Sequence, residues 1–187
     1  MAPMGDVQPS VGYSDLLVMP DDGRRYEIHG GELVVVPSPF PAHQIAAGEI
    51  FTLLNEYGHR SGGLALVAPL DIVLDEKDVV QPDVVFFRAE RRHLVRPYAV
   101  TRAAPDIAVE VLSPSTAAVD RGRKMRMFAR YGVPEYWIVD PFSRQIEVCV
   151  LAAGAYRRAQ AASAGDTVRS VLLPDLTFDA ARVFTFA

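Results

Sequence analysis

Two carboxylates stand where carboxylates are costly. Pro82-Asp83 opens the apolar run Val84–Phe87, and Glu110 lies between Val109 and Val111 in a second Val-rich run. Charge buried in such strands is expensive unless it is paired or holds a metal. Two carboxylates on neighbouring strands can share a hard cation such as Mg²⁺, which prefers oxygen ligands. A cation there can activate water and balance charge on a phosphoryl oxygen. The plainer alternative has Asp83 capping a turn and Glu110 on a wet strand face. Alternation, however, groups Glu110 with Ala108 and Leu112, opposite Ile107, Val109 and Val111. Lys124 is the third candidate. The chain uses Arg freely but has only two lysines, Lys77 and Lys124. Lysine gives a compact point charge whose pKa responds to burial, which arginine does not. Placed beside two carboxylates, it would orient an attacking water or hold a phosphate; the alternative is an exposed helix lysine.

Other side chains are weaker candidates. Glu49 falls in a helical pattern, Asp71 in the run before Asp83, and Glu32 and His43 flank the approach to that helix. Asp120 precedes Lys124 by four residues, which predicts a helical ion pair. Ser113 and Ser115 lack the Gly-x-Ser-x-Gly setting of a nucleophilic serine.

The elements that must position these groups are legible from period and punctuation. Residues 1–12 lack periodicity and predict a flexible tail, with one domain over 13–187. Tyr13–Met19 predicts a short helix. Tyr26–His29 and Glu32–Val36 around Gly30-Gly31 predict a hairpin. Ala42–Tyr57 predicts a helix ending near Gly58. Strands are expected at Leu64–Ala68, Leu70–Leu74, Val84–Phe87, Asp106–Leu112 and Glu135–Val139, with Asp75-Glu76-Lys77-Asp78 as a charged turn. Residues 88–104 read as a basic connection with some helix. Val119–Tyr131 predicts a helix stopped by Gly132 and Pro134. Gln145–Leu151 and Tyr156–Ala161 predict a second hairpin, and Val171–Phe186 a short strand and turn. The order suits a mixed sheet flanked by helices. A helix between the strands at 106–112 and 135–139 predicts a right-handed crossover and a parallel pair.

Composition narrows the class. The chain has 187 residues, half of them hydrophobic, with one cysteine, Cys149. That excludes an internal disulfide and any multi-cysteine zinc site. No run of about 18 apolar residues predicts a membrane span, and no basic flank with an apolar run predicts secretion, so a cytoplasmic location is expected. The formal net charge is −4. Between Arg88 and Arg130, however, ten Arg and Lys stand against four acids, +6 locally and −10 for the remainder. A basic face for nucleic acid is expected there if those residues share a surface.

Pro82-Asp83, then Glu110, then a lysine resembles the PD-(D/E)xK restriction-endonuclease-like superfamily. More narrowly, Tyr26-Glu27-Ile28-His29-Gly30-Gly31-Glu32-Leu33, His43, Gln81-Pro82-Asp83-Val84, Val109–Thr116 and Tyr131–Pro141 together resemble the Uma-two family of endonucleases, over roughly residues 13 to 185. The resemblance implies a restriction-endonuclease-like α/β core with an N-terminal hairpin. It also implies a metal-dependent endodeoxyribonuclease with Asp83 and Glu110 as Mg²⁺ ligands (Mn²⁺ as a substitute), Lys124 assisting and DNA as partner. The superfamily's usual lysine two residues after the glutamate is replaced by Leu112, so the resemblance moves that role to Lys124 on the following helix. A homodimer is expected, since cutting both strands of a duplex takes two sites. Two alternatives stand beside this reading: a catalytically inactive binding or assembly module on the same fold, and a metal phosphoesterase of small nucleotides.

Overall fold

The strand carrying Glu110 is the centre of the molecule, because both of its faces are covered. In the computed structural model, which describes residues 10–185, every residue of Ile107–Val111 is buried. In chain order the elements are α1 (Tyr13–Leu16), β1 (Arg25–His29), β2 (Glu32–Val36), α2 (Pro41–Ser61), β3 (Leu64–Val67), β4 (Ile72–Asp75), β5 (Asp78–Val80), β6 (Val84–Phe87) and β7 (Ile107–Val111). After these come α3 (Ala117–Val119), a π-helical turn (Asp120–Lys124), α4 (Met125–Arg130), β8 (Glu135–Asp140), β9 (Gln145–Ala152), β10 (Ala155–Ser163), β11 (Thr167–Arg169) and β12 (Thr177–Asp179). Ala89–Leu94 and Ala180–Val183 are 3₁₀ turns.

The main sheet has the order β10-β9-β8-β7-β6-β3. It is mixed: β7 and β8 are parallel, Ile107 opposite Glu135, and the other pairs are antiparallel. The parallel pair needs a crossover, which the helical segment 117–130 supplies. On one face, Ile107, Val109, Val111 and Trp137 pack with Ile50, Leu53 and Leu54 of α2 and with the C-terminal segment around Phe178. On the other, Ala108, Leu112 and Ile138 pack with Met127 and Phe128 of α4, and with Ile72 and Val80. A smaller sheet, β2-β1-β5-β4, holds the N-terminal hairpin, whose Gly30-Gly31 turn has φ of 63° and 83°. Positive φ at both central residues is the geometry that favours glycine in tight hairpins. Among the described residues no helix is long and apolar enough to cross a membrane.

Most of the expected elements appear, with shifted ends. The first long helix runs past Gly58 to Ser61 and stops at Gly62, whose φ of 81° is a left-handed cap. The expected turn at 75–78 is the tight connection into a strand too short to announce itself, β5. The three-residue β11 likewise carries no pattern of its own. Of the expected tail, residues 1–9 lie outside the described residues, as does Phe186, while the Val11 amide donates to the Gly31 carbonyl at 2.8 Å.

Candidate active site

Strand register brings the two carboxylates together. Val84 pairs with Val109 across the antiparallel β6–β7 ladder, so one residue further Asp83 faces Glu110. Opposed residues of adjacent strands project to the same side. That side is the one beneath the crossover helix, shared with Ala108, Leu112, Val85 and Phe87. Asp83 Oδ2 accepts the Val111 amide at 2.7 Å and lies 3.2 Å from His43 Nε2. His43 reaches it from the first turn of α2, which begins with Pro41.

The crossover helix delivers the lysine. Asp120–Lys124 is a widened π-helical turn between two α-helical pieces. Such single-turn π segments occur frequently at functional sites. From it Lys124 Nζ reaches Glu110 Oε1 at 3.0 Å and Glu27 Oε1 at 2.9 Å, with Asp120 Oδ1 at 3.7 Å. All four side chains are buried. Glu27 arrives from β1 in the other sheet, so the ammonium ties the two sheets and the helix at one point. Glu27 is itself held on both oxygens. Oε1 also accepts the Gln81 amide at 2.7 Å, and Oε2 lies 2.8 Å from His29 Nε2.

The electrostatics follow from burial and from this geometry. Burial alone would depress the Lys124 ammonium, but Glu110, Glu27 and Asp120 outweigh it and hold its pKa well above the usual value. The surrounding carboxylates thus favour the charged form of Lys124. Burial alone would raise the Glu27 carboxyl; Lys124, His29 and the Gln81 amide reverse this and bring it to about 2. Burial pushes Glu110 well above the usual range; Lys124 opposes this, and Asp120, Asp83 and Glu27 add to it. Asp120 is raised for the same first cause. Three buried carboxylates, Glu27, Glu110 and Asp120, thus share one ammonium, and Asp83 stands opposite Glu110 on the neighbouring strand.

This is the setting in which a further hard cation fits. Among the described residues no three His, Cys, Asp or Glu side chains form a ready-made metal cage. Mg²⁺ does not ask for one: it commonly keeps several waters and takes one or two carboxylates. Asp83 and Glu110 line a common cleft with Gln81, His43, Asp120 and Lys124. Gln81 donates its Nε2 to Asp71 Oδ1 at 2.8 Å, leaving its buried Oε1 without a partner. A partnerless acceptor oxygen beside two carboxylates is a donor set suited to a hydrated hard cation.

Of the candidate residues, the fold therefore gathers Asp83, Glu110, Lys124 and His43. Asp71 touches the cluster only through Gln81. Glu49 faces Arg182 at 3.8 Å on the far side of α2, and Glu32 pairs with Arg123 at 2.7 Å; neither lines the cleft. Glu27, Asp120, Gln81 and His29 join the cluster although no sequence pattern singles them out for it. Asp120 has only its four-residue spacing to Lys124, which is borne out as an ion pair. Leu112, at the superfamily's lysine position, is buried in the core with Phe128 and Cys149.

Known proteins share this arrangement of elements. The model of the Uma2 family, described as "Putative restriction endonuclease", matches residues 13–181. The chain belongs to the Uma2 family. Among solved structures, this Uma2 chain is similar to one from Anabaena variabilis, described as "a putative nuclease belonging to DUF820". The TM-score is 0.78 at 18% identity, covering 94% of this chain and 98% of that one. At that identity the likeness shows a shared fold. A search of curated proteins found no match.

Proposed function

We propose that this Uma2 protein is a Mg²⁺-dependent endonuclease that hydrolyses phosphodiester bonds in DNA, with Asp83 and Glu110 as metal ligands and Lys124 as the assisting cation. The observation that carries the reading is the buried Lys124 ammonium, 3.0 Å from Glu110 and 2.9 Å from Glu27 at the edge of the cleft that Asp83 lines. Held by Asp83 and Glu110, Mg²⁺ would supply Lewis acidity, activating a water and balancing charge on the phosphoryl oxygen.

The chain's own residues do the rest. Lysine has three donors. Glu110 and Glu27 take two within hydrogen-bond reach, and Asp120 at 3.7 Å is too distant to hold the third firmly. That third N–H is available to a water or a non-bridging phosphate oxygen. Because Lys124 keeps its proton, it orients and stabilises charge. Glu27 positions Lys124, and His43 with the Val111 amide positions Asp83. Arg25 also lines the cleft, where a cation suits a phosphate. A homodimer would place two such sites on a duplex.

The inactive-module alternative leaves the buried cluster unexplained, since buried charges are seldom retained for stability alone. Plasmid nicking in Mg²⁺ and in Mn²⁺ tests the proposal, comparing wild type with Asp83→Asn and Lys124→Met. Metal-dependent cleavage lost in both variants supports it. A folded wild type that neither cleaves nor binds metal refutes it.

A further inference from the structure

The expectation of a basic face over residues 88–130 needs correcting. Most of those charges are matched by acids distant in sequence: Arg88 and Arg91 by Asp106, Arg102 by Glu76, Arg121 by Glu147, Arg123 by Glu32 and Arg130 by Asp78. One concave cluster stands apart because its Arg126 is not matched in this way. A cavity of about 370 Å³ is lined by Arg123, Arg126 and Arg130, with His29, Gly30, Asp78 and Met127. The arginines recur at helical spacing on the outer side of the segment that carries Lys124. Arg126 is exposed and has no carboxylate partner among the described residues. His29, almost wholly buried, presents an Nδ1 with no hydrogen-bond partner, while its Nε2 faces Glu27.

We propose that this cavity is a second phosphate-binding subsite, which takes a backbone phosphate of the nucleic acid whose scissile phosphate occupies the Asp83–Glu110 cleft. The assignment of nucleic acid as ligand rests on the nuclease reading; the anion site itself rests on the arginines that line the cavity. Three arginines line one hollow, Arg126 among them without a carboxylate partner among the described residues, and arginine matches phosphate geometry with paired donors. Asp78 does not repel an anion strongly, because its carboxylate is already engaged by the Gly30 amide, Tyr131 and Arg130.

The placement favours a strand of nucleic acid over a free anion. Arg25, Glu27 and His29 alternate along one side of β1. Arg25 lines the Asp83–Glu110 cleft, Glu27 meets Lys124, and His29 lines the arginine cavity. Four residues of strand separate the two ends by about 13 Å. That distance lets a phosphate in the cavity and the scissile phosphate in the cleft belong to one strand, a few nucleotides apart. The helix repeats the order, with Asp120 and Lys124 at the cleft and Arg123 to Arg130 at the cavity.

The test is the salt dependence of binding to a short fluorescent duplex, followed by anisotropy in the full-length Asp83→Asn background so that the probe is not cut. Removing one arginine–phosphate interaction lowers the slope of log K against log salt by about 0.9. Arg126→Gln should flatten the slope by about one such step and Arg123→Gln/Arg126→Gln by about two, while Arg157→Gln, an exposed arginine on β10, leaves it unchanged. Identical slopes and affinities for Arg126→Gln and its parent overturn the subsite. In a second arm, inorganic phosphate is added in thermal melts. Phosphate stabilisation that disappears in Arg126→Gln while the duplex slope stays the same would mark a free-anion site and also overturn the assignment to nucleic acid. If wild type nicks plasmid and only the slope prediction fails, the subsite falls alone; if wild type neither binds nor nicks, the nuclease reading falls.

Discussion

Lys124→Met tests the centre of the site, because methionine keeps roughly the length of the side chain and removes its charge and its N–H donors. The ammonium is the common partner of Glu110, Glu27 and Asp120, all of them buried. Removing one partner of a buried ion pair costs about 3–5 kcal/mol, because the remaining charge is left uncompensated. Here three carboxylates lose the same partner, so the upper part of that range applies at pH 8. The cost should depend on pH with a definite sign. Glu110 and Asp120 are already raised above their ordinary values, chiefly by burial, and losing Lys124 raises them further. A carboxyl whose folded pKa exceeds its unfolded pKa binds more protons when folded, so the stability it confers is complete below the unfolded pKa and lost as pH rises through the folded one. The variant should therefore recover towards wild type between pH 8 and pH 5. Urea unfolding followed by the fluorescence of Trp137, fully buried in the main sheet, reads this directly. A variant within about 0.5 kcal/mol of wild type at pH 8 would behave as an exposed substitution does, and would refute the buried cluster.

Three further outcomes are expected. Carboxyl NMR should find Glu27 ionised down to a midpoint of about 2, and a midpoint at the ordinary 4.5 would dissolve the cage of Lys124, His29 and the Gln81 amide. His43→Ala should lower metal-dependent cleavage about 10- to 100-fold, the range for a residue that orients a metal ligand, and raise the Mg²⁺ concentration needed for half-maximal rate; an unchanged metal dependence would reduce His43 to packing. Leu112→Lys should not rescue Lys124→Met, because the Leu112 side chain sits among Phe128, Ile138 and Cys149, where an unpaired ammonium costs several kcal/mol. Recovered cleavage in the double variant would show that the two lysine positions are interchangeable.

How much of this is legible in the sequence depends on whether a residue's partner lies in a pattern or in space. The hairpin and the parallel β7–β8 pair follow from local signals: a Gly-Gly turn between apolar runs, and a helix between two strands. Asp83 and Glu110 are visible because a carboxylate in a Val-rich run conflicts with its surroundings, and Lys124 because lysine is rare in this chain. Glu27 carries no such conflict. It alternates with Tyr26 and Ile28 as any hairpin residue with one wet face does, and only the crossover helix packed over that face buries it. Asp120 looks like half of an ordinary helical ion pair, and nothing in Asp120-Arg121-Gly122-Arg123-Lys124 announces a π-helical turn. The basic stretch misleads for the converse reason. Its charges are close in sequence, but the acids that pair with them, such as Glu32, Asp78 and Glu147, come from other strands.

That same distribution explains how an acidic protein can present a site for a polyanion. The cleft holds Asp83, Glu110 and Asp120 against Lys124 and Arg25, and burial is the chief reason the Glu110 and Asp120 carboxyls are raised. On the proposed function, Mg²⁺ held at Asp83 and Glu110 would offset the charge of those carboxylates towards a phosphate. The arginine cavity sits further along the same strand and helix, and its Arg126 has no carboxylate partner among the described residues to neutralise it. On the proposed function and subsite, substrate affinity would come from the flank and substrate competence from the metal. DNA binding and DNA cleavage should therefore separate on mutation, with Arg126 governing the salt slope and Asp83 the metal-dependent rate. Further arginines in the cleft beside Arg25 would bind phosphate more directly, but they would also neutralise the carboxylates proposed to hold the cation.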